Sequence, residues 1–153
     1  MDVSKLMIGD KVIRFKVETK MIELGPNEFT TETNRIEDID TVTGIGDGYV
    51  MFQYWSEMYQ RYITFTADAD SIKPIPLDDD ILKYAGWKDS SVRFYHDHVP
   101  FSIGYFEPAF GYPLRTEYAE DTFAFVNNVD ELQRVLRCVG SYDLAKNFKQ
   151  NNS

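Results

Sequence analysis

Both histidines of the chain lie two residues apart, in the segment His96-Asp97-His98. Residues two apart on a strand face the same side, so His96 and His98 can share a divalent metal ion. Such a site needs at least a third ligand. The acidic residues that follow are the candidates for it: Glu107, Glu117 and Asp121. The alternative is a strand end that turns at Val99-Pro100, with histidines that bind no metal; the metal interpretation predicts a metal-assisted hydrolase.

The segment from Phe94 to Tyr112 is rich in aromatic side chains, punctuated by two prolines and a glycine. Alternation along a meander of strands buries only about half of them. The pattern therefore predicts an outer face that carries Tyr95, Tyr105 or Tyr112. Exposed aromatic side chains are typical of protein-binding surfaces, whereas the alternative is that they fill a thin core. The leading functional prediction is a non-enzymatic protein-interaction module with a protein partner.

Two further motifs have structural explanations. Gly44-Ile-Gly-Asp-Gly48 is similar to a dinucleotide-binding loop, but a strand follows it where that loop requires a helix. Asp78-Asp-Asp80 can be a Mg²⁺ or Ca²⁺ cluster, but a helix start accounts for all three carboxylates. The sequence contains no recognisable nucleophile constellation. No cofactor and no catalytic residue is therefore assigned.

The chain that must position these residues is predicted to form two units that meet at Ile72-Lys-Pro-Ile-Pro76. Two prolines two residues apart exclude a helix or a central strand there. Residues 1–76 are predicted to form a small SH3-like β-barrel. An Asp-Gly turn at 46–48 makes a hairpin the strongest local prediction, and the polar segment 25–34 is predicted to be a long hairpin loop or a mobile connection. The expected strands are Lys11–Glu18, Asp40–Ile45, Tyr49–Trp55 and Arg61–Thr66.

Residues 77–153 are predicted to form an α+β unit with a short helix capped by Asp78, an antiparallel meander and a C-terminal helix. The expected meander strands are 92–96, 101–106, 114–118 and 122–126. Asn128 and Glu131 suggest a capping box for a helix over 129–139. Its buried stripe is expected to be Val129, Leu132, Val135, Leu136 and Val139. The outward positions are expected to be Asp130, Gln133, Arg134 and Arg137. Cys138 is expected to be a buried thiol, and the tail from Asn147 to be frayed.

Three phrases in the order Leu6-Met-Ile-Gly-Asp10, Ile72-Lys-Pro-Ile-Pro-Leu77 with Ile81-Leu-Lys-Tyr-Ala-Gly-Trp87, and Val129-Asp-Glu-Leu-Gln133 span the chain. Together they resemble a family of small proteins from gut bacteria and their phages that carries no assigned activity. The resemblance implies a phage or mobile-element origin and a shared fold, but no chemistry. Relatives often have Thr-Pro-Glu in place of residues 78–80. They usually have His in place of Asp130, so a family position that could suggest catalysis is absent.

The net charge of −9 arises from 25 acidic and 16 basic residues and is spread over both halves. An acidic surface repels phosphate backbones, so direct nucleic-acid binding is not expected. A protein that mimics nucleic acid remains a third functional alternative. The single cysteine excludes an intramolecular disulfide. The chain shows neither a signal-peptide pattern nor a run of about 20 apolar residues, so a cytoplasmic protein is expected.

Overall fold

The computed structural model of the chain describes residues 1–116 and 121–150, which form a mixed α+β fold of antiparallel sheets and three short helices. The strands are β1 (Lys11–Gly25), β2 (Glu28–Thr41), β3 (Gly44–Ile45), β4 (Tyr49–Ser56), β5 (Arg61–Asp68), β6 (Ile72–Pro74), β7 (Lys88–Asp89), β8 (Phe94–Tyr95), β9 (Phe101–Ile103), β10 (Tyr112–Thr116) and β11 (Thr122–Val126). The helices are α1 (Asp79–Tyr84), α2 (Val129–Cys138) and α3 (Tyr142–Lys146).

The first sheet, in the order β2-β1-β6, contains a long two-stranded hairpin. Strand β1 pairs with β2 from Lys11 opposite Thr41 as far as Gly25 opposite Glu28. The prediction of a loop over residues 25–34 was therefore wrong, since only the turn at Pro26 and Asn27 lies outside the strands. The threonines of β2 suit an extended strand, and the paired backbone compensates for the lack of a buried face.

The second sheet has the order β3-β4-β5, and the predicted Asp-Gly hairpin is confirmed within it. Gly46 N–H donates to the Tyr49 carbonyl at 3.0 Å, and Gly48 takes a φ of 77° that favours glycine. Residues 1–76, all of which the structure describes, thus form two three-stranded sheets, one built on the β1–β2 hairpin and one on the β4–β5 hairpin. They form no closed barrel. The expected SH3-like barrel is not confirmed.

The third sheet is the predicted antiparallel meander, with the order β11-β10-β9-β8-β7. Strand β11 has the predicted bounds, β10 begins two residues earlier than expected, β8 and β9 are shorter than expected, and β7 was not predicted. Residues 117 and 118 of the expected strand 114–118 lie outside the described residues. Two backbone hydrogen bonds join the residues between β11 and α2 to the proline-rich segment. Leu77 N–H donates to the Asn127 carbonyl, and Val129 N–H donates to the Ile75 carbonyl.

Helix α1 begins and ends where the sequence predicts. The Asp78 carboxylate accepts the Ile81 N–H at 2.7 Å, which satisfies one of the free amides of the first turn. Gly86, with a φ of 101°, follows the helix and lets the chain reverse toward the buried Trp87.

The buried apolar side chains form two clusters. The first lies between the two hairpins and the N-terminal segment: Val3, Leu6, Val12, Val42, Val50, Phe52 and Ile72. The second, larger cluster begins at Ile75 and joins α1, the meander, α2 and α3. Ile13 and Ile39 of the first hairpin also pack against the second cluster. The division into units 1–76 and 77–153 stays a prediction.

Helix α2 is buried on more of its surface than its pattern predicts. Asp130 and Gln133 were expected to face outward but are almost completely buried, and Arg137 is only slightly exposed. The segment Leu6–Asp10 covers this side of the helix, and the Arg137 guanidinium pairs with the fully buried Asp10 carboxylate at 2.5 Å. Residues 6–10 therefore pack on α2.

The C-terminal end differs from the prediction in three places. Cys138 is exposed, so the expectation of a buried thiol was wrong. Val139, expected in the buried stripe, is partly exposed. Phe148 packs into the second cluster, so residues as far as Phe148 are not frayed, and α3 was not predicted. The reason is that a five-residue helix leaves too short a pattern to recognise, although its Ala145 is completely buried. No helix in the described ranges is long and apolar enough to span a bilayer.

Candidate functional site

The two histidines lie at the end of β8, with their ring centroids 5.8 Å apart. The His98 backbone N–H donates to His96 Nδ1 at 3.2 Å, and the His96 ring also contacts Trp87 edge-on. Burial lowers the pKa of His96 from 6.5, and the positive charge that His98 can carry lowers it further. Both effects favour the neutral ring, and the contact at Nδ1 places the proton of that neutral form on Nε2.

The expected third metal ligand is not supplied by the described residues. Among residues 1–116 and 121–150, no group of three histidine, cysteine or acidic side chains is placed to hold a metal ion. Glu107 and Asp121 are therefore not brought to the histidines in such a set, and Glu117 lies outside the described residues. The metal site at His96 and His98 stays a prediction.

The three tyrosines predicted on an outer face have different surroundings. Tyr112 is only 4% exposed, so its expected exposure was wrong. Its hydroxyl donates to Asp79 Oδ1 at 2.8 Å, and burial and this contact raise its pKa. Tyr105 is partly exposed and donates to Asp89 Oδ1 at 2.6 Å, which raises its pKa to about 12. Tyr95 is exposed, with the Lys88 ammonium near its ring. A binding role for these residues stays a prediction.

Asp78, Asp79 and Asp80 occupy the N-cap and the first turn of α1, as the helix interpretation predicts. Asp78 caps α1, and Asp79 accepts the Tyr112 hydroxyl. All three line a shallow concavity that also includes Phe106 and Lys83. Since this cluster is accounted for by the cap and the tyrosine contact, it is not a candidate site.

A different aromatic surface, which the sequence analysis missed, lies at the end of the β4–β5 hairpin. We call it the hairpin-tip surface and define it by four exposed side chains: Trp55, Met58, Tyr59 and Tyr62. Met58 is 83% exposed and Tyr62 is 67% exposed. The alternation of β4 was a signal that could have revealed this surface, because Trp55 faces away from the side that buries Val50 and Phe52.

The hairpin register organises this surface. Trp55 lies directly opposite Tyr62, and their rings meet edge to face with centroids 5.2 Å apart. At the tip, the Ser56 hydroxyl accepts the Tyr59 N–H at 3.2 Å. The Arg61 guanidinium lies 5.7 Å from the centre of the Tyr59 ring. A two-stranded ladder thus presents large side chains in a defined arrangement, outside both buried clusters.

A groove beside β8 and β9 includes His96 in its lining. We call it the Arg93 groove; its volume is about 480 Å³, and its lining includes Ser90, Arg93, Tyr95, His96, Phe101 and Ser102. Arg93 Nη1 donates to the Ser102 hydroxyl at 3.4 Å, and Ser90 Oγ donates to the Arg93 carbonyl at 2.8 Å. Neither an acidic pair nor an activated nucleophile is formed by these side chains. An arginine and two serines therefore line the same groove.

Comparisons with known proteins do not assign the chain to a family. No protein-family model, no curated protein and no solved structure matches the chain.

Proposed function

We propose that this protein is a non-enzymatic module that binds another protein through the hairpin-tip surface. The observation that supports the proposal is the clustering of four large exposed side chains at the end of one two-stranded ladder, with the Trp55 and Tyr62 rings in contact. Tryptophan, tyrosine and methionine are enriched in the centres of protein interfaces. Their exposure serves neither buried cluster, so folding alone does not account for it.

The ladder also lowers the cost of binding. The β4 and β5 backbones pair over eight positions, from Tyr49 opposite Asp68 to Ser56 opposite Arg61. The backbone that carries Trp55 and Tyr62 is therefore already ordered in the free protein. Less conformational entropy is then lost on association than for a disordered segment. On this proposal the protein acts in the cytoplasm, and the resemblance supports a phage or mobile-element origin.

The test is affinity capture from lysate of the native host, followed by binding measurements with the purified partner. In the test variant, Trp55→Ser is combined with Tyr62→Ser. In the matched control, Phe110→Ser is combined with Phe125→Ser, since those rings also touch, at 5.3 Å, and are also exposed. We expect the test variant to lose at least about 2 kcal/mol of binding free energy, the size of an interface hot spot, with an unchanged melting temperature.

The control variant is expected to retain the partner. Equal losses in both double variants would show that general surface hydrophobicity, and not the hairpin tip, retains the partner. Full retention by the Trp55 and Tyr62 variant would reject the proposed surface. In that case a Tyr95→Ala, Tyr105→Ala double variant tests the meander tyrosines, which remain the second candidate surface.

A metal-assisted hydrolase remains a second candidate function because the His96 and His98 rings are 5.8 Å apart. Elemental analysis of the purified protein tests it. About one equivalent of a divalent ion, lost in His98→Ala, would support a metal site, and a metal-free protein would remove this candidate. The nucleic-acid mimic is supported only by the net charge of −9, and competition with DNA for a captured partner would be its signature.

A further inference from the structure

The Arg93 side chain lines the groove without an ion-pair partner among the described residues. Ion pairs within the described residues engage six other basic residues: Arg14, Lys16, Lys73, Lys88, Arg134 and Arg137. In those same ranges Arg93 has no acidic partner, and the 3.4 Å contact with Ser102 Oγ is its one side-chain hydrogen bond. A guanidinium has five N–H donors, so most of those on Arg93 are available to a ligand. In a chain with a net charge of −9, this is a local positive site.

The same groove contains a serine hydroxyl and a histidine ring. Ser102 is 7% exposed, and its hydroxyl accepts from Arg93 while its own proton has no acceptor among the described residues. The His96 ring accepts the His98 N–H at Nδ1, and its Nε2 lies near Gly86, which does not line the groove. Two donors of different type, the Arg93 guanidinium and the Ser102 hydroxyl, therefore line one concavity of about 480 Å³.

An acidic residue also lines the groove, but its charge is already compensated. The Asp97 carboxylate accepts a hydrogen bond from Lys88 Nζ at 2.9 Å, and this contact lowers the pKa of Asp97. The Asp97–Lys88 pair therefore contributes little net charge. The charge of Arg93 is left to act on whatever enters the groove, with less screening than at a flat surface.

We propose that the Arg93 groove binds the phosphate monoester group of a small molecule. A phosphate monoester has three terminal oxygens and carries close to two negative charges at neutral pH. The guanidinium can donate to two of these oxygens and the Ser102 hydroxyl to the third, whereas a carboxylate has only two oxygens and one charge. Tyr95 and Phe101 supply aromatic walls for the remainder of the ligand. This site is separate from the hairpin-tip surface and does not depend on the proposed function.

The test is a ¹H–¹⁵N NMR titration of the full chain at pH 7.5 and constant ionic strength, with inorganic phosphate, phenyl phosphate and acetate as probes. Arg93→Gln is the test variant. Arg61→Gln is the matched control, because it removes the same charge from an exposed arginine on strand β5, outside the Arg93 groove. We expect saturable shifts of residues 90–102 with both phosphates and none with acetate at the same concentration. Arg93→Gln is expected to weaken phosphate binding at least about tenfold, as for loss of a charged hydrogen-bond donor.

Each outcome decides the proposal. Saturable phosphate binding that is lost in Arg93→Gln and kept in Arg61→Gln would support it. Tighter binding of phenyl phosphate than of inorganic phosphate would support an aromatic ligand, and equal binding would restrict recognition to the phosphate group. The proposal is rejected if the unmodified protein shows no saturable shift, if acetate binds as well as phosphate, or if the two arginine variants weaken binding equally. Arg93 is exposed, and an unchanged amide spectrum away from the groove confirms that its variant folds.

Discussion

The completely buried amide of Gln133 is expected to be a principal stabilising contact between the N-terminal segment and the C-terminal helices. Its Oε1 accepts the Lys11 N–H at 2.9 Å, and its Nε2 donates to the carbonyls of Gly9 at 2.9 Å and Ala145 at 2.8 Å. Substitution by methionine, Gln133→Met, keeps the length and most of the volume of the side chain. It removes all three hydrogen bonds and leaves three backbone groups without their partner.

The magnitude follows from this count. A typical hydrogen bond contributes about 1 kcal/mol net, and a buried group left without a partner costs about 1–3 kcal/mol. For three backbone groups the expected loss is therefore roughly 3–6 kcal/mol, depending on how many of them water reaches. Since domains of this size are stable by about 5–15 kcal/mol, the variant is expected to be at or near the limit of folding.

Urea unfolding followed by tryptophan fluorescence measures the effect, because Trp87 is buried and reports on the larger cluster. Gln53→Met is the matched control, since Gln53 is exposed on β4 and its amide makes only a 3.5 Å contact with Thr64 Oγ1. We expect the control to change the free energy of unfolding by less than about 0.5 kcal/mol. A Gln133→Met variant that also lost less than about 1 kcal/mol would refute the argument that this amide connects the two ends of the chain.

Two further predictions concern aspartates. Asp78→Ala removes the cap of α1 and is expected to lower the free energy of unfolding by about 1 kcal/mol; an unchanged urea midpoint would contradict the capping role. Burial, followed by the charge of Asp10, raises the pKa of Asp130 to about 6 from 3.8, although Arg134 opposes the shift. The stabilisation by protonated Asp130 is therefore full below about pH 4 and is lost as the pH rises through about 6. Asp130→Asn is expected to remove this dependence, so that the stability of the variant relative to the unmodified protein increases between these pH values; parallel stability curves from pH 4 to 7 would contradict it.

The candidate sites differ in how far local patterns could predict them. The short distance between the His96 and His98 rings follows from their spacing in the sequence. The burial of Tyr112 could not be predicted in this way, because Tyr112 contacts Asp79 in a helix 33 residues earlier. The hairpin-tip surface was missed for the opposite reason. An aromatic residue such as Trp55 has the same strand propensity whether it is buried or exposed. Only the tertiary structure shows that no other layer of the described residues covers Trp55.

The sequence by itself determined the local elements: the Asp78 cap, the Gly86 helix end, the Asp-Gly hairpin and the antiparallel meander. Each of these depends on backbone preferences or hydrogen bonds within a few residues, so neighbouring residues suffice to specify it. Only the tertiary structure decided that the polar face of α2 is buried. Gln133 and Arg137 are hydrophilic by composition, and their partners Gly9 and Asp10 lie more than 120 residues away in the chain. A helical pattern cannot show which polar side chains will find such partners, because burial of a polar group becomes favourable only when those partners are in place.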